Sequence, residues 1–254
     1  MRTNYHTHNE LCGHAGGNLE EYVRRAMELE FTELGMSDHL PFPGDGFGMR
    51  MRYEQLGEYV QETNRLKDTY KDSLRIFLGA EGEYFPDYDK YYERLLTKQG
   101  FDYLILGQHF YRAGDFACAN VYNDMHCTED IIKYVESSLE GMSTGYFAYW
   151  AHPDLFFVND FEQDIHMARA FDLILNDCVK HDYILEWNAN GLRREKTSYP
   201  AMSFWKEVAK TDIRVIIGAD CHSTDALVDW AVEKSEQMAR ELGLNVIEKL
   251  DIGE

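Results

Sequence analysis

The chain has 254 residues, 44% of them hydrophobic and 14% aromatic, enough for a sizeable core, and carries a formal net charge of −20. So acidic a surface disfavours nucleic acid and anionic membranes, whose phosphates call for basic patches, but it admits a small anion, because a local cluster of cations governs the field inside one cleft. The five cysteines are scattered and form no Cys-x-x-Cys pair, no apolar leader opens the chain, and no run approaches the roughly 20 apolar residues of a membrane span; one domain over 1–254 in the cytoplasm is expected.

Residues 2–8 read as a short β-prone run ending in Tyr5-His6-Thr7-His8. Asn18 then opens a helix: it is a good N-cap, Glu21 follows three residues on as its capping-box partner, and apolar residues recur at 19, 22, 23, 26 and 27. Residues 31–36 are strand-like and stop at Ser37-Asp38-His39, ahead of a loop rich in Pro and Gly. The alternation continues with a helix over 53–71, a strand over 74–80 that delivers Glu81, a Tyr-rich helix over 87–99 and a strand over 101–106 that delivers His109. Residues 111–127 read as a long loop. Thr128 is the expected cap of a helix to about Glu140, and 145–150 is a strand ending at His152. Asp160 or Asp164 starts a helix to about 180, 183–187 is a strand running into Asn188-Ala189-Asn190-Gly191, and 201–210 is helical. Residues 213–217 form a strand that delivers Asp220 and His222, 224–242 a helix, and 245–250 a closing strand.

Strands that alternate with helices imply a parallel sheet. Seven such units precede the tail, and six of the seven strands set a candidate ligand just past their C-terminal ends. That is the face on which a β/α barrel carries its active site, whereas an open doubly wound sheet gathers ligands only near its switch point. An α/β fold closed into an irregular, TIM-like barrel is therefore expected.

The candidate metal ligands are His6, His8, His14, His39, Glu81, His109, His152, Asp220 and His222. Imidazole and carboxylate suit borderline divalent cations such as zinc, iron and manganese. His6 and His8 are two apart on one strand and point the same way, as do Asp220 and His222 on the last. In a barrel the first and last strands are neighbours, so the two pairs face each other. Nine donors exceed the needs of one ion. At about four per ion with sharing, they imply two or three metals, with Glu81 placed to bridge. His126, His166 and His181 read as solvated or capping residues, Cys12 as packing, and Glu83 and Asp38 either as partners that orient ligating imidazoles or as solvated carboxylates.

The set resembles the PHP (polymerase and histidinol phosphatase) superfamily, and most closely its monofunctional histidinol-phosphate phosphatases. The motifs that carry the resemblance are the N-terminal His-x-His, Ser-Asp-His, the lone Glu, Gly-Gln-His, Ala-His-Pro-Asp and Gly-Ala-Asp-Cys-His, in order over residues 1 to about 225. The resemblance implies a distorted seven-stranded (β/α)7 barrel. It implies one metal on His6, His8, Glu81 and Asp220, a second on Glu81, His109 and His152, and a third on His14, His39 and His222. Some members have an acid where this chain has His14, so the choice between two and three ions turns on that residue. The implied activity is that of a metal-dependent phosphomonoesterase, in which a hydroxide bridging two Zn, Mn or Fe ions hydrolyses L-histidinol phosphate to L-histidinol and phosphate. Glu81, Asp220 and His222 are then the catalytic residues, and Asp220 or a metal-bound water the proton source for the leaving group. In the resembling enzymes an Asn-x-x-Gly-Leu-Arg turn sits over the phosphate, which implies Arg193 as a clamp and Arg194 next in line. Alternatives are a nucleotide or sugar-phosphate phosphoesterase, a 3′–5′ exonuclease, an amidohydrolase and a non-catalytic metal binder. The charge argues against long nucleic acid, the lack of a Lys at a strand end against the amidohydrolase, and the intact ligand motifs against the last.

Overall fold

The computed structural model describes residues 2–113, 118–194 and 198–252. A parallel sheet curled on itself forms its centre. Strands β1 (Thr3–Asn4), β2 (Glu33–Met36), β3 (Arg75–Gly82) and β4 (Tyr103–Leu106) pair side by side in chain order. An antiparallel hairpin, β5 (Phe110–Arg112) and β6 (Cys118–Asn120), stands beyond β4. A second parallel arc joins β7 (Leu185–Asn188), β8 (Arg214–Gly218) and β9 (Asn245–Val246). Single parallel bridges connect the arcs. Trp150 lies between Leu106 of β4 and Leu185 of β7, and Thr7, just past β1, lies beside Cys221, just past β8.

Helices α1 (Leu19–Glu28), α2 (Leu56–Tyr70), α3 (Asp89–Lys98), α4 (Thr128–Ser143), α5 (Ile165–His181), α6 (Asn190–Arg193), α7 (Met202–Val208) and α8 (Trp230–Leu242) connect these strands. Strands β2, β4 and β7 are buried along their whole length, as expected of parallel strands covered on both faces. Alternate residues of β3 and β4 serve two cores. Ile76, Leu78, Leu104 and Leu106 join the large cluster under the helices, while Phe77, Tyr103 and Ile105 meet Tyr5, Tyr149 and Ile216 inside the curl.

The capping box of α1 forms as expected, with Asn18 Oδ1 accepting from Glu21 N at 3.0 Å and Glu21 Oε2 accepting from Asn18 N at 2.8 Å. Other expectations need correction. The expected loop over 111–127 contains part of the β5–β6 hairpin, a short pairing with too little period-two pattern to read. The strand expected over 145–150 shrinks to the bridge at Trp150. Cys127, not Thr128, is the N-cap of α4, and Thr128 instead donates to Asp164 Oδ2 at 2.6 Å. The helix over 224–242 is two pieces, because Asp229 caps a fresh helix by accepting from Ala231 N and Val232 N. The closing strand is only β9, which pairs with Arg214 and Val215 at the end of β8 away from Cys221. The coarser expectation, an α/β fold around a curled parallel sheet, is what the structure displays.

Candidate metal centre

The bridge between Thr7 and Cys221 lies at the middle of two triplets, His6-Thr7-His8 and Asp220-Cys221-His222. With the middle residues paired, their neighbours on either side turn to the same face. His6 Nε2 lies 3.1 Å from His8 Nε2, and Asp220 Oδ1 lies 3.1 Å from His8 Nε2 and 3.7 Å from His6 Nε2. Glu81 reaches this group from inside β3 rather than from beyond its end, with Oε1 3.5 Å from His6 Nε2 and Oε2 3.5 Å from His8 Nε2. It has room because residue 107 is a glycine, whose missing Cβ would overlap the Glu81 carboxylate.

Further imidazoles surround the same carboxylate. His152 Nε2 stands 2.7 Å from Glu81 Oε1, His39 Nδ1 2.8 Å from Oε2, and His109 Nε2 3.8 Å from Oε1. On the outer side His222 Nε2 faces His14 Nε2 at 3.1 Å, and the His14 and His39 rings lie 5.1 Å apart. The fold therefore brings all nine candidate ligands together. The groupings are more shared than the three implied sets. His39 pairs with Glu81 and His109 as well as standing beside His14, and His8, His39 and His222 also converge.

Three of the imidazoles, those of His6, His8 and His109, are held from behind by carboxylates. His8 Nδ1 meets Asp38 Oδ1 at 3.2 Å, and His109 Nδ1 meets Glu83 Oε1 at 3.2 Å. Glu83 in turn is bound by Arg50 at 2.9 and 3.1 Å. His6 Nδ1 meets Glu186 Oε1 at 2.7 Å. Glu186 was not singled out from the sequence. The available signal was a charged residue inside an otherwise apolar strand, between Leu185 and Trp187. The Asn188 and Asn190 amides donate to Asp220 Oδ2 at 3.1 and 3.2 Å, which leaves Oδ1 for the centre.

The electrostatics are those of a packed, mutually titrating cluster. Burial opposes a charge on His6, yet Glu186, Asp220 and Glu81 hold its affinity for a proton well above the ordinary value. Burial opposes a charge on His8 too, but the adjacent Asp220 and Asp38 carboxylates lift it to about 9. Burial and the nearby His8 push His39 well below its usual value and His222 to about 3. Burial disfavours the Glu81 and Asp220 carboxylates, but surrounding imidazoles hold both well below the carboxylate range. An ionised Asp220 is suited to ligation. The buried Cys12 donates to Asn9 O at 3.1 Å, and burial raises its thiol to about 12, which fits packing.

Glu81 Oε2 and Asp220 Oδ1 are buried and make no hydrogen bond, despite their close imidazole neighbours. Buried carboxylate oxygens without a donor are expensive. The Nε2 atoms of His6 and His8, and those of His222 and His14, face each other at 3.1 Å while each Nδ1 has a partner of its own. Divalent cations among them would satisfy both groups, so the residues fit metal ions. His152 and Asp220 also adopt left-handed backbone, at φ 34° and 43°. Such strain costs on the order of 1–3 kcal/mol and persists where surrounding structure enforces it.

The centre opens into a cavity of about 440 Å³ walled by Met49, Phe110, Asn120, Tyr122, Arg194 and Tyr199. The two candidate phosphate arginines part company here. Arg193 turns away from the opening. Its guanidinium binds Asp229 at 2.8 and 3.0 Å and the carbonyls of Ala219 and Ala226, bracing the turn after β8. Arg194 faces the cavity, with its guanidinium 5.5 Å from the Tyr122 ring and 6.0 Å from the Tyr199 ring. Arg193 is the last residue of α6 and Arg194 the extended residue that follows it, so the two side chains leave the backbone in different directions.

Comparison with known proteins agrees with this geometry. A Deinococcus radiodurans protein named probable histidinol-phosphatase is 27% identical over 233 residues, covering 85% of this chain and 85% of its own. The Bacillus subtilis histidinol-phosphatase is 23% identical, covering 85% of this chain and 92% of its own. The crystal structure of the Lactococcus lactis histidinol phosphate phosphatase, complexed with zinc, L-histidinol and phosphate, superposes with a TM-score of 0.75 at 18% identity, covering 100% of this chain and 99% of that one. At that identity the match speaks for the fold. The PHP domain model matches residues 4–190, a span that includes Glu81 and six of the seven clustered histidines, and the chain belongs to the PHP domain family.

Proposed function

We propose that this protein is a metal-dependent phosphomonoesterase that hydrolyses L-histidinol phosphate to L-histidinol and phosphate. The observation that carries the reading is the convergence of His6, His8, His39, His109 and His152 on the carboxylate of Glu81, whose Oε2 accepts no hydrogen bond, at the floor of a cavity whose wall holds Arg194. The names of the Deinococcus and Bacillus relatives support the reaction, and the zinc, histidinol and phosphate of the Lactococcus structure support the metal and substrate. The bridges at Trp150 and Thr7 support reading the curled sheet as a distorted seven-stranded barrel formed by a single domain.

His6, His8, Glu81 and Asp220 would hold one ion, Glu81, His109 and His152 a second, and His14, His39 and His222 a third, with zinc, manganese and iron all suited to these donors. Bound there, such ions neutralise phosphate charge and lower the pKa of water to about 7. The protein's own groups do the rest. Arg194, between two tyrosine rings, is placed to hold the phosphate oxygens and keep the ester over the centre. The paired carboxylates Asp38, Glu83 and Glu186 fix the imidazole rings. Glu81 and Asp220 stay ionised, and His222, neutral above about pH 3, is available as a ligand or proton acceptor. Among the described residues the cavity lining includes no Lys.

The test is phosphate release from histidinol phosphate, glycerol phosphate and nucleotides by the chelator-stripped protein resupplied with Zn, Mn or Fe. A strong preference for histidinol phosphate, abolished by chelation, is expected. Comparable rates on all esters would refute the substrate, and activity that survives chelation would refute the metal dependence.

A further inference from the structure

Strand β7 supplies none of the nine ligands, yet its Glu186 connects more of the centre than any one ligand's outer hydrogen bond does. Glu186 is fully buried. Its Oε1 meets His6 Nδ1 at 2.7 Å, and its Oε2 accepts from His152 N at 3.1 Å and from Asn188 Nδ2 at 2.8 Å. The same Asn188 amide reaches Asp220 Oδ2 at 3.1 Å. One carboxylate thus ties together the segments that present His6, His152 and Asp220. On the adjacent strand a Cβ at Gly218 would overlap Glu186 Oε1, so a glycine reserves the space that this carboxylate occupies.

We propose that Glu186 is a positioning residue for the metal centre: it sets the ring orientation of His6 and the backbone of His152 without itself being a ligand. The proposal rests on the metal-dependent reading above. A carboxylate accepting from Nδ1 fixes the proton there and leaves the Nε2 lone pair of His6 free to face His8, Glu81 and Asp220. Its second oxygen accepts from the amide of His152, a residue at φ 34°, and so restrains that left-handed turn. Both oxygens are already engaged, and the His6 ring stands between Glu186 and the ligand cluster, which keeps it out of the ligand set. The group must be a carboxylate because it faces donors from His6, His152 and Asn188. A glutamine in its place would aim an N–H at another donor.

The experiment compares wild type, Glu186→Gln and Gly218→Ala. Gly218→Ala retains Glu186 and every ligand and only displaces the carboxylate. Each protein is stripped with a chelator and titrated with Zn against a chromogenic competitor, while melting of the metal-free form reports the fold. We expect Zn to bind about 10–100-fold more weakly in both variants, with kcat reduced and KM little changed because Arg194 is untouched. Wild-type Zn affinity in both folded variants would overturn the proposal. Should Glu186→Gln not fold, Gly218→Ala alone decides. Independently of any variant, the nitrogen resonances of His6 in the zinc-loaded wild type should show a proton on Nδ1, and a proton on Nε2 would overturn the proposal. Wild type that takes up no Zn would instead bring down the metal-dependent reading itself.

Discussion

Glu81 and Glu33 are both buried glutamates on adjacent strands of one sheet, and their surroundings are opposite. Glu33, near the start of β2, takes hydrogen bonds from Tyr5 Oη and from Lys249 Nζ, with Arg75 3.8 Å away. The C-terminal tail closes over it, and Leu250 N donates to Tyr5 Oη at 3.3 Å. Glu81, near the end of β3, keeps one oxygen without a donor, as do Asp220 and Asp38 nearby, and two residues of that end hold left-handed backbone. One end of the curl satisfies its buried charge internally. The other stores unsatisfied charge that an external cation can neutralise. The contrast teaches that burial alone does not separate a structural carboxylate from a functional one.

The contrast can be broken most forcefully at the unsatisfied end. Glu81→Gln and Asp220→Ala should each lower kcat for phosphate release by about 10³-fold or more, a loss of about 4 kcal/mol of transition-state stabilisation. Activity within tenfold of wild type in either variant would place the chemistry elsewhere. Chelation should lower the melting temperature by about 5–10 °C, since an ion present at 100 times its Kd contributes about 2.7 kcal/mol. An unchanged melting curve would mean that the unsatisfied oxygens need no cation. The arginine pair divides the two behaviours within two adjacent residues. Arg194→Met should raise KM about 10-fold or more with little effect on melting, and Arg193→Met should leave KM unchanged and cost about 1.5–3 kcal/mol of stability through its lost charged hydrogen bonds; reversed effects would restore Arg193 as the clamp.

The mildest expected effect lies at the satisfied end. Glu33→Gln should cost about 1–2 kcal/mol and leave kcat unchanged. Burial raises the Glu33 carboxyl, but Lys249 and Tyr5 outweigh it and hold the group below its ordinary value. A carboxyl lowered in the folded state stabilises fully above the unfolded value of about 4.3, and the benefit is lost as pH falls below it. The stability gap between wild type and Glu33→Gln should therefore close in acid. A gap constant from pH 7 to 3 would show that charge on Glu33 contributes nothing.

The ligands were legible because period-two spacing is local: His6 with His8 and Asp220 with His222 announce a shared face before any fold is known. The order of the alternating elements carried the parallel sheet. Two features were not legible. Which of Arg193 and Arg194 faces the cavity depends on where a four-residue helix ends and on Asp229, far along the chain. Glu186 sat in the one strand without a ligand, and its partners His6 and His152 become neighbours only when the sheet curls. The Trp150 segment failed for a related reason, since a single bridge leaves no repeat to read.

The pairing of Thr7 with Cys221 has a consequence for the order of events during synthesis. A ribosome that has made the chain as far as Phe204 has already delivered every ligand from His6 to His152, but neither Asp220 nor His222. The half-centre then exposed lacks the second triplet and the strand that aligns the first. A nascent chain cannot complete this cluster until the segment carrying Asp220 and His222 has emerged.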